Sequence, residues 1–195
     1  YITAAFIIYT LMAMFLLPLI QIYTSGITDA EYTNTSLLLL FALMNLAANA
    51  KMPANSVIEY SGEFEKTRSY AIWEMIINIV FSVAAILHMG ICGAILGSVA
   101  ALVYRGIVTI HYANKKILKR SLMCTYKIMI CNGAVFAAIM AVFFVDSFGN
   151  AGFAKLLLCG AVNSIWVVGL YLTVTVVFNR PAYNTVFELL GRGRR

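Results

Sequence analysis

The sequence predicts an all-α protein, a polytopic bundle of six membrane-spanning helices, and three observations carry that expectation. Of the 195 residues, 62% are hydrophobic and 11% charged, and the mean hydropathy is +0.88, whereas soluble domains are roughly half apolar and a quarter charged. Six stretches reach the roughly 20 apolar residues that a helix needs to cross hydrocarbon. The connections between these stretches alternate between ones that hold Lys or Arg and ones that hold neither. A soluble globule of this size could not cover so much apolar surface, and a disordered chain would not carry it. Composition therefore excludes a soluble enzyme, a nucleic-acid-binding module and a disordered tail. A membrane barrel would show short alternating segments, and these runs are too long and too uniformly apolar.

The first span is expected over 2–22 and the second over 33–58, with Pro53 inside it. Proline removes a backbone donor and can kink the helix there. The third span covers 69–88 and the fourth 91–112, joined by a tight turn at Met89-Gly90. Gly90, Gly93 and Gly97 at the start of the fourth span permit that turn and close approach of a neighbouring helix. The fifth and sixth spans cover 126–145 and 155–178. The connection after the first span has no Lys or Arg but holds Asp29 and Glu31, and the one after the fifth has neither Lys nor Arg, with Lys155 at the lip of the sixth span. In contrast, the connection after the second span holds Lys66 and Arg68. The one after the fourth holds Lys115, Lys116, Lys119, Arg120 and Lys127, and the tail holds Arg180, Arg192, Arg194 and Arg195. Lys and Arg accumulate on the cytoplasmic side of membrane proteins, so both ends of this chain are expected in the cytoplasm and the protein in the cell membrane. Tyr23, Tyr32, Tyr60, Tyr70 and Tyr112 lie at helix ends, as in an aromatic belt. The tail 179–195, with Tyr183, Phe187 and Leu190, fits either a surface helix anchored on anionic lipid or a frayed terminus. The chain starts at Tyr1 inside an apolar run without a charged leader, so it is expected to be a fragment lacking its N-terminal part.

The net charge of +6 is accounted for by the basic loops. Cys92, Cys124, Cys131 and Cys159 form no Cys-x-x-Cys pair, and His88 and His111 stand apart. No metal, cofactor or catalytic residue is expected, and the cysteines read as packing residues. The informative residues are polar groups inside the spans, which are costly in a bilayer and usually face a cavity or a partner. Asn45, Asn49, Lys51, Asn55, Ser56 and Glu59 share about half the wheel of the second span at 100° per residue. Glu74, Asn78 and Ser82 form one line on the third, and Ser98, Arg105, Thr109 and Tyr112 a stripe on the fourth. Two readings stand: the three faces line a wet, net-positive cavity, or the Asn and Ser residues only bind helices together while Glu74 pairs with Lys51 or Arg105. Two deep cations against one deep carboxylate favour an anionic, phosphate-bearing ligand.

Several segments resemble a known family. They are Tyr23-Thr24-x-Gly26-x-Thr28-Asp29-x-x-Tyr32, then Glu74-x-x-x-Asn78-x-x-x-Ser82, then Gly90-x-x-Gly93-x-x-x-Gly97, and finally Tyr104-Arg105 ahead of Tyr112-Ala113-Asn114-Lys115. In this order they resemble the bacterial polysaccharide/oligosaccharide flippases (PST, Wzx-like) of the multidrug/oligosaccharidyl-lipid/polysaccharide (MOP) transporter superfamily, over about residues 10–125. The resemblance implies two six-helix lobes around a cavity, plus two additional helices. Residues 1–113 would be the last four helices of the second lobe, 114–127 a basic cytoplasmic loop, 128–178 the additional pair and 179–195 a basic cytoplasmic tail. It implies translocation of undecaprenyl-pyrophosphate-linked oligosaccharide repeat units by alternating access. The partners would be that lipid-linked oligosaccharide, membrane lipid and polysaccharide polymerase machinery, with no nucleic acid. On helix-wheel position, Lys51 and Arg105 would hold the phosphates, and Asn45, Asn49, Asn78, Ser82 and Tyr112 would meet the sugars. The competing readings are a MATE-like drug or metabolite exporter, which would need more deep carboxylates, and a non-transporting scaffold of a glycan synthase. A membrane glycosyltransferase is disfavoured, since Glu63 and Glu65 beside Lys66 and Arg68 read as a solvated loop.

Overall fold

The computed structural model describes residues 1–24, 35–145 and 153–178. The loop with Asp29, Glu31 and Tyr32, the connection 146–152 and the tail expected to be a surface helix lie outside the described residues, as do the side chains of Lys155 and Cys159. Among the described residues there is no strand, and seven α-helices follow in order: α1 (Ile2–Tyr23), α2 (Thr35–Ala50), α3 (Met52–Tyr60), α4 (Arg68–Met89), α5 (Ile91–Tyr112), α6 (Leu122–Val145) and α7 (Phe153–Phe178). Six segments are long and apolar enough to cross a membrane, α2 and α3 together forming one of them. Helices are the natural outcome for such runs, because in lipid each backbone N–H and C=O must find its partner within the segment or a neighbour.

Two boundaries differ from the sequence expectation. The second span, Thr35–Tyr60, is divided just before Pro53: a turn at Lys51, whose φ and ψ of −82° and −16° stay in the right-handed helical region, separates α2 from α3, and Pro53 stands in the first turn of α3. Proline suits that position, where its missing N–H would have no partner in any case. The basic loop is also shorter than expected. α5 runs on into a π-turn, Ala113–Ile117, and α6 begins at Leu122, so Lys115, Lys116 and Lys127 ride on helical backbone. Arg120 explains the tight passage. Its Nε donates to Asn114 Oδ1 at 2.6 Å and its Nη2 to Thr125 Oγ1 at 3.3 Å, tying the ends of α5 and α6 together over Lys119, whose φ is +48°.

α1 lies at the centre of one packed region, against α2, α6 and α7. Its core comprises Phe6, Ala13, Met14, Ala42, Leu46, Phe136, Met140, Val167 and Tyr171. A smaller cluster of Ala54, Ile58, Ile110 and Ala113 seats α3 on the end of α5. α5 lies between α4 and α2. α4 has no buried residue, and Trp73, Ile79, Phe81 and Leu87 on it are exposed. The α4–α5 connection is the single residue Gly90, whose φ of +56° and ψ of −134° suit glycine.

Polar contacts fasten α7 and α6 to α1. Thr10 Oγ1 and Tyr171 Oη, both fully buried, are 2.8 Å apart, and Thr3 Oγ1 accepts from Asn132 Nδ2 at 3.3 Å. Interhelical hydrogen bonds in membrane proteins average about 0.6 kcal/mol. Tyr171→Phe is therefore expected to lower unfolding free energy in detergent by about that amount, and Tyr171→Ala by about 3–5 kcal/mol through the cavity it leaves; denaturant titration checks both.

Candidate functional site

The charged residues of three spans meet at one depth. Lys51 and Glu74 each stand nine residues inside the nearer end of their spans, roughly 13 Å along a helix axis. The break between α2 and α3 places the Lys51 ammonium on Glu74, with Nζ 2.7 Å from Oε1. Arg105 approaches from α5, its Nε 3.9 Å from Glu74 Oε2, and its Nη1 donates to the Thr67 carbonyl at 3.5 Å. These side chains keep only 14–23% of their surface. Two cations face one carboxylate, so the cluster carries a net positive charge where lipid and protein screen far less than water. The Arg105 Nε–H is buried and lacks a hydrogen-bond acceptor. Such an unmet donor is expensive in these surroundings.

The remaining sequence-derived candidates are engaged elsewhere. Asn78 Oδ1 accepts from Ser82 Oγ at 3.0 Å and from Ser98 Oγ of α5 at 3.3 Å, while Ser82 also reaches the Ala94 carbonyl at 3.1 Å. These two residues sit in the contact between α4 and α5. Asn49 faces α1, where Tyr1 Oη donates to its Oδ1 at 2.9 Å and its Nδ2 donates to Tyr9 Oη at 2.8 Å. Asn45 Nδ2 donates to the Phe41 carbonyl on its own helix. Among the described residues these polar groups are taken up in contacts between helices or with their own helix. The α4 line packs on α5, and the charged cluster stands apart as a compact site. The thiols expected in packing divide: Cys92 and Cys131 are half-buried, and Cys124 is exposed.

Tyr112 belongs to a second cluster, at the end of α5. Its hydroxyl donates to Glu63 Oε2 at 2.7 Å, Lys66 Nζ stands 3.1 Å from Glu63 Oε1, and its ring meets that of Tyr70 edge-on, with centroids 6.2 Å apart. Glu63 is therefore not simply solvated, although only its three-residue spacing to Lys66 was visible locally; Tyr112 lies 49 residues away. The Tyr112 hydrogen bond, then that of Lys66, holds the Glu63 carboxyl below its ordinary value of 4.5. A carboxylate lowered in the folded state contributes stability that is present above its unfolded value and lost as the pH falls through its folded one. Tyr112→Phe is accordingly expected to lower the thermal midpoint at neutral pH, and the difference from the wild type should shrink as the pH is taken below 4.5. Melting curves of both proteins across that range check it.

Among the described residues no group of His, Cys, Asp and Glu could hold a metal ion. The class that fold and site define is a polytopic, all-α protein with six helices fit to span a membrane and a net-positive ion cluster within them. No family model matches the chain, and no curated protein and no solved structure matches it.

Proposed function

We propose that this chain is the C-terminal part of a membrane transporter that carries undecaprenyl-pyrophosphate-linked oligosaccharide repeat units across the cytoplasmic membrane by alternating access, for polysaccharide biosynthesis. The observation that carries the reading is the Lys51–Glu74–Arg105 cluster, with two cations on one carboxylate and a buried guanidinium N–H without an acceptor. Such a site suits the pyrophosphate of an amphiphile whose polyprenyl tail stays in lipid. Unaided passage of that head group would require desolvating both charge and hydroxyls. The order of the quoted sequence segments supports the same reading. In it, α1 to α5 are the last four spans of a second lobe, α6 and α7 are the additional pair, and the basic connections face the cytoplasm. A cation exporter would need free carboxylates at this depth, and Glu74 is engaged by two basic residues.

The test is made in cells carrying the intact transporter, comparing export of the lipid-linked glycan with efflux of cationic dyes. Deleting the gene should stop glycan export and leave dye efflux unchanged. The opposite pattern would assign the protein to drug export.

A further inference from the structure

We infer that the α5–α6 corner and the exposed face of α6 form a binding site for an anionic phospholipid, its head group on the corner lysines and an acyl chain along α6. The inference holds whatever cargo the protein carries. No acidic residue occurs between Glu74 and Asp146, while Lys115, Lys116, Lys119, Arg120 and Lys127 all fall inside that stretch. Lys115, Lys116 and Lys119 are exposed, and Leu118, also exposed, stands among them. Glu63 reaches this corner from the segment before α4, close enough to feel the charge of Lys116, and it is already engaged by Tyr112 and Lys66. The corner is held in shape from beneath. Asn114 is buried, its Nδ2 donating to the Ile110 carbonyl and its Oδ1 accepting from Arg120 Nε. The backbone N–H groups of Leu118 and Arg120 donate to the carbonyls of Ala113 and Asn114. Lysines carried on such an ordered backbone lose less freedom on binding than those of a loose loop.

The apolar half of the site continues from the same corner. α6 begins at Leu122, so its first turns lie at the end of a candidate span, Leu122–Val142. Met123, Ile130, Ala134 and Ala137 are exposed, and their three-, four- and seven-residue spacings place them on one face of the helix, with Lys127 between the first two. Phe136 and Met140 turn the other way, into the core against α1. The face thus runs from a cluster of cations into a strip of apolar and small side chains along the direction of a lipid chain. A free phosphate would use only the first half of this surface, and an acidic soluble protein could not follow it into hydrocarbon. An anionic phospholipid matches both halves: its phosphate is attracted by basic residues at the membrane surface, and its chain covers apolar area that no other described element covers.

The experiment is native mass spectrometry of the purified full chain from nonionic detergent, with equal amounts of phosphatidylglycerol and phosphatidylcholine of the same chain length. The wild type is compared with the triple variant Lys115→Gln, Lys116→Gln, Lys119→Gln. Wild type is expected to retain phosphatidylglycerol about tenfold or more over phosphatidylcholine, and the triple variant to lose most of that preference, since each surface cation contributes to the attraction. Glycerophosphoglycerol, the same head group without chains, and inorganic phosphate should not displace the lipid. Equal retention of the two lipids by the wild type, or an unchanged preference in the variant, overturns the inference. Displacement by either soluble anion would assign the corner to a free phosphate, and a dimer that carries no lipid would assign the α6 face to a second copy of the chain; each outcome overturns it too. Should the variant not fold, the wild type decides alone: its preference should fall several-fold as ionic strength is raised, and a salt-independent preference would sink the inference. None of these outcomes bears on glycan export, which the gene deletion tests separately.

Discussion

Gly97→Leu is expected to part α4 from α5 and to lower stability by about 3 kcal/mol or more. Gly97 is fully packed, and a Cβ added there would stand 2.6 Å from Ser82 Cα and nearer still to the Ser82 nitrogen and hydroxyl. The obstacle is largely backbone, which has no rotamer to escape into, so the helices must separate. Separation also strains the Ser82 bond to the Ala94 carbonyl and the Ser98 bond to Asn78, and among the described residues α5 is the main helix that α4 packs against. Overpacking a tight interface typically costs about 1–3 kcal/mol, and the lost hydrogen bonds add to that. Gly106, one helix face away, is the control: nothing lies within 4 Å of a Cβ there, so Gly106→Ala should be neutral or stabilise the helix by up to about 1 kcal/mol. Thermal unfolding of the two variants in the same detergent compares them directly.

The second large effect concerns export. Under the proposed function, Lys51→Ala combined with Arg105→Ala in the intact transporter should reduce glycan export about 100-fold, the loss of two charge-assisted contacts to a diphosphate. The same variant strands Glu74 in a poorly solvated position, which costs roughly 3 kcal/mol when a paired charge loses its partners. Loss of export through misfolding must therefore be separated from loss of the site. Adding Glu74→Gln removes the stranded charge and should restore normal protein levels in the membrane without restoring export. Undiminished export by the double variant at matched protein level would remove both residues from the mechanism.

Much of the fold is legible without coordinates because the bilayer imposes a single rule: long apolar runs must become helices that satisfy their own backbone. The six spans follow from it, and the tight turn at Gly90 and the close approach at Gly93 and Gly97 follow from glycine's missing Cβ. The pairing of Glu74 with both Lys51 and Arg105 was also within reach, since few charges lie deep and each needs a partner. The division of the second span at Lys51 was only half visible. Pro53 predicts a disturbance, but whether a helix bends or breaks depends on what packs against it, and here Ala54 and Ile58 settle on Ile110 and Ala113. The duties of the Asn and Ser residues were not legible. A helix wheel gives the direction of Asn78 but cannot say whether water or Ser98 stands opposite it.

Composition and periodicity thus determine that this chain is helical, how many helices can cross a membrane and where its few buried charges lie, because those properties depend on the cost of exposing backbone and charge to hydrocarbon, residue by residue. Which polar groups meet, and therefore which remain unmet, is decided only by tertiary packing. Hydrogen bonds act over about 3 Å, and the hydrogen bonds that Asn49, Tyr112 and Arg105 make to Tyr9, Glu63 and Thr67 join residues 38 to 49 positions apart.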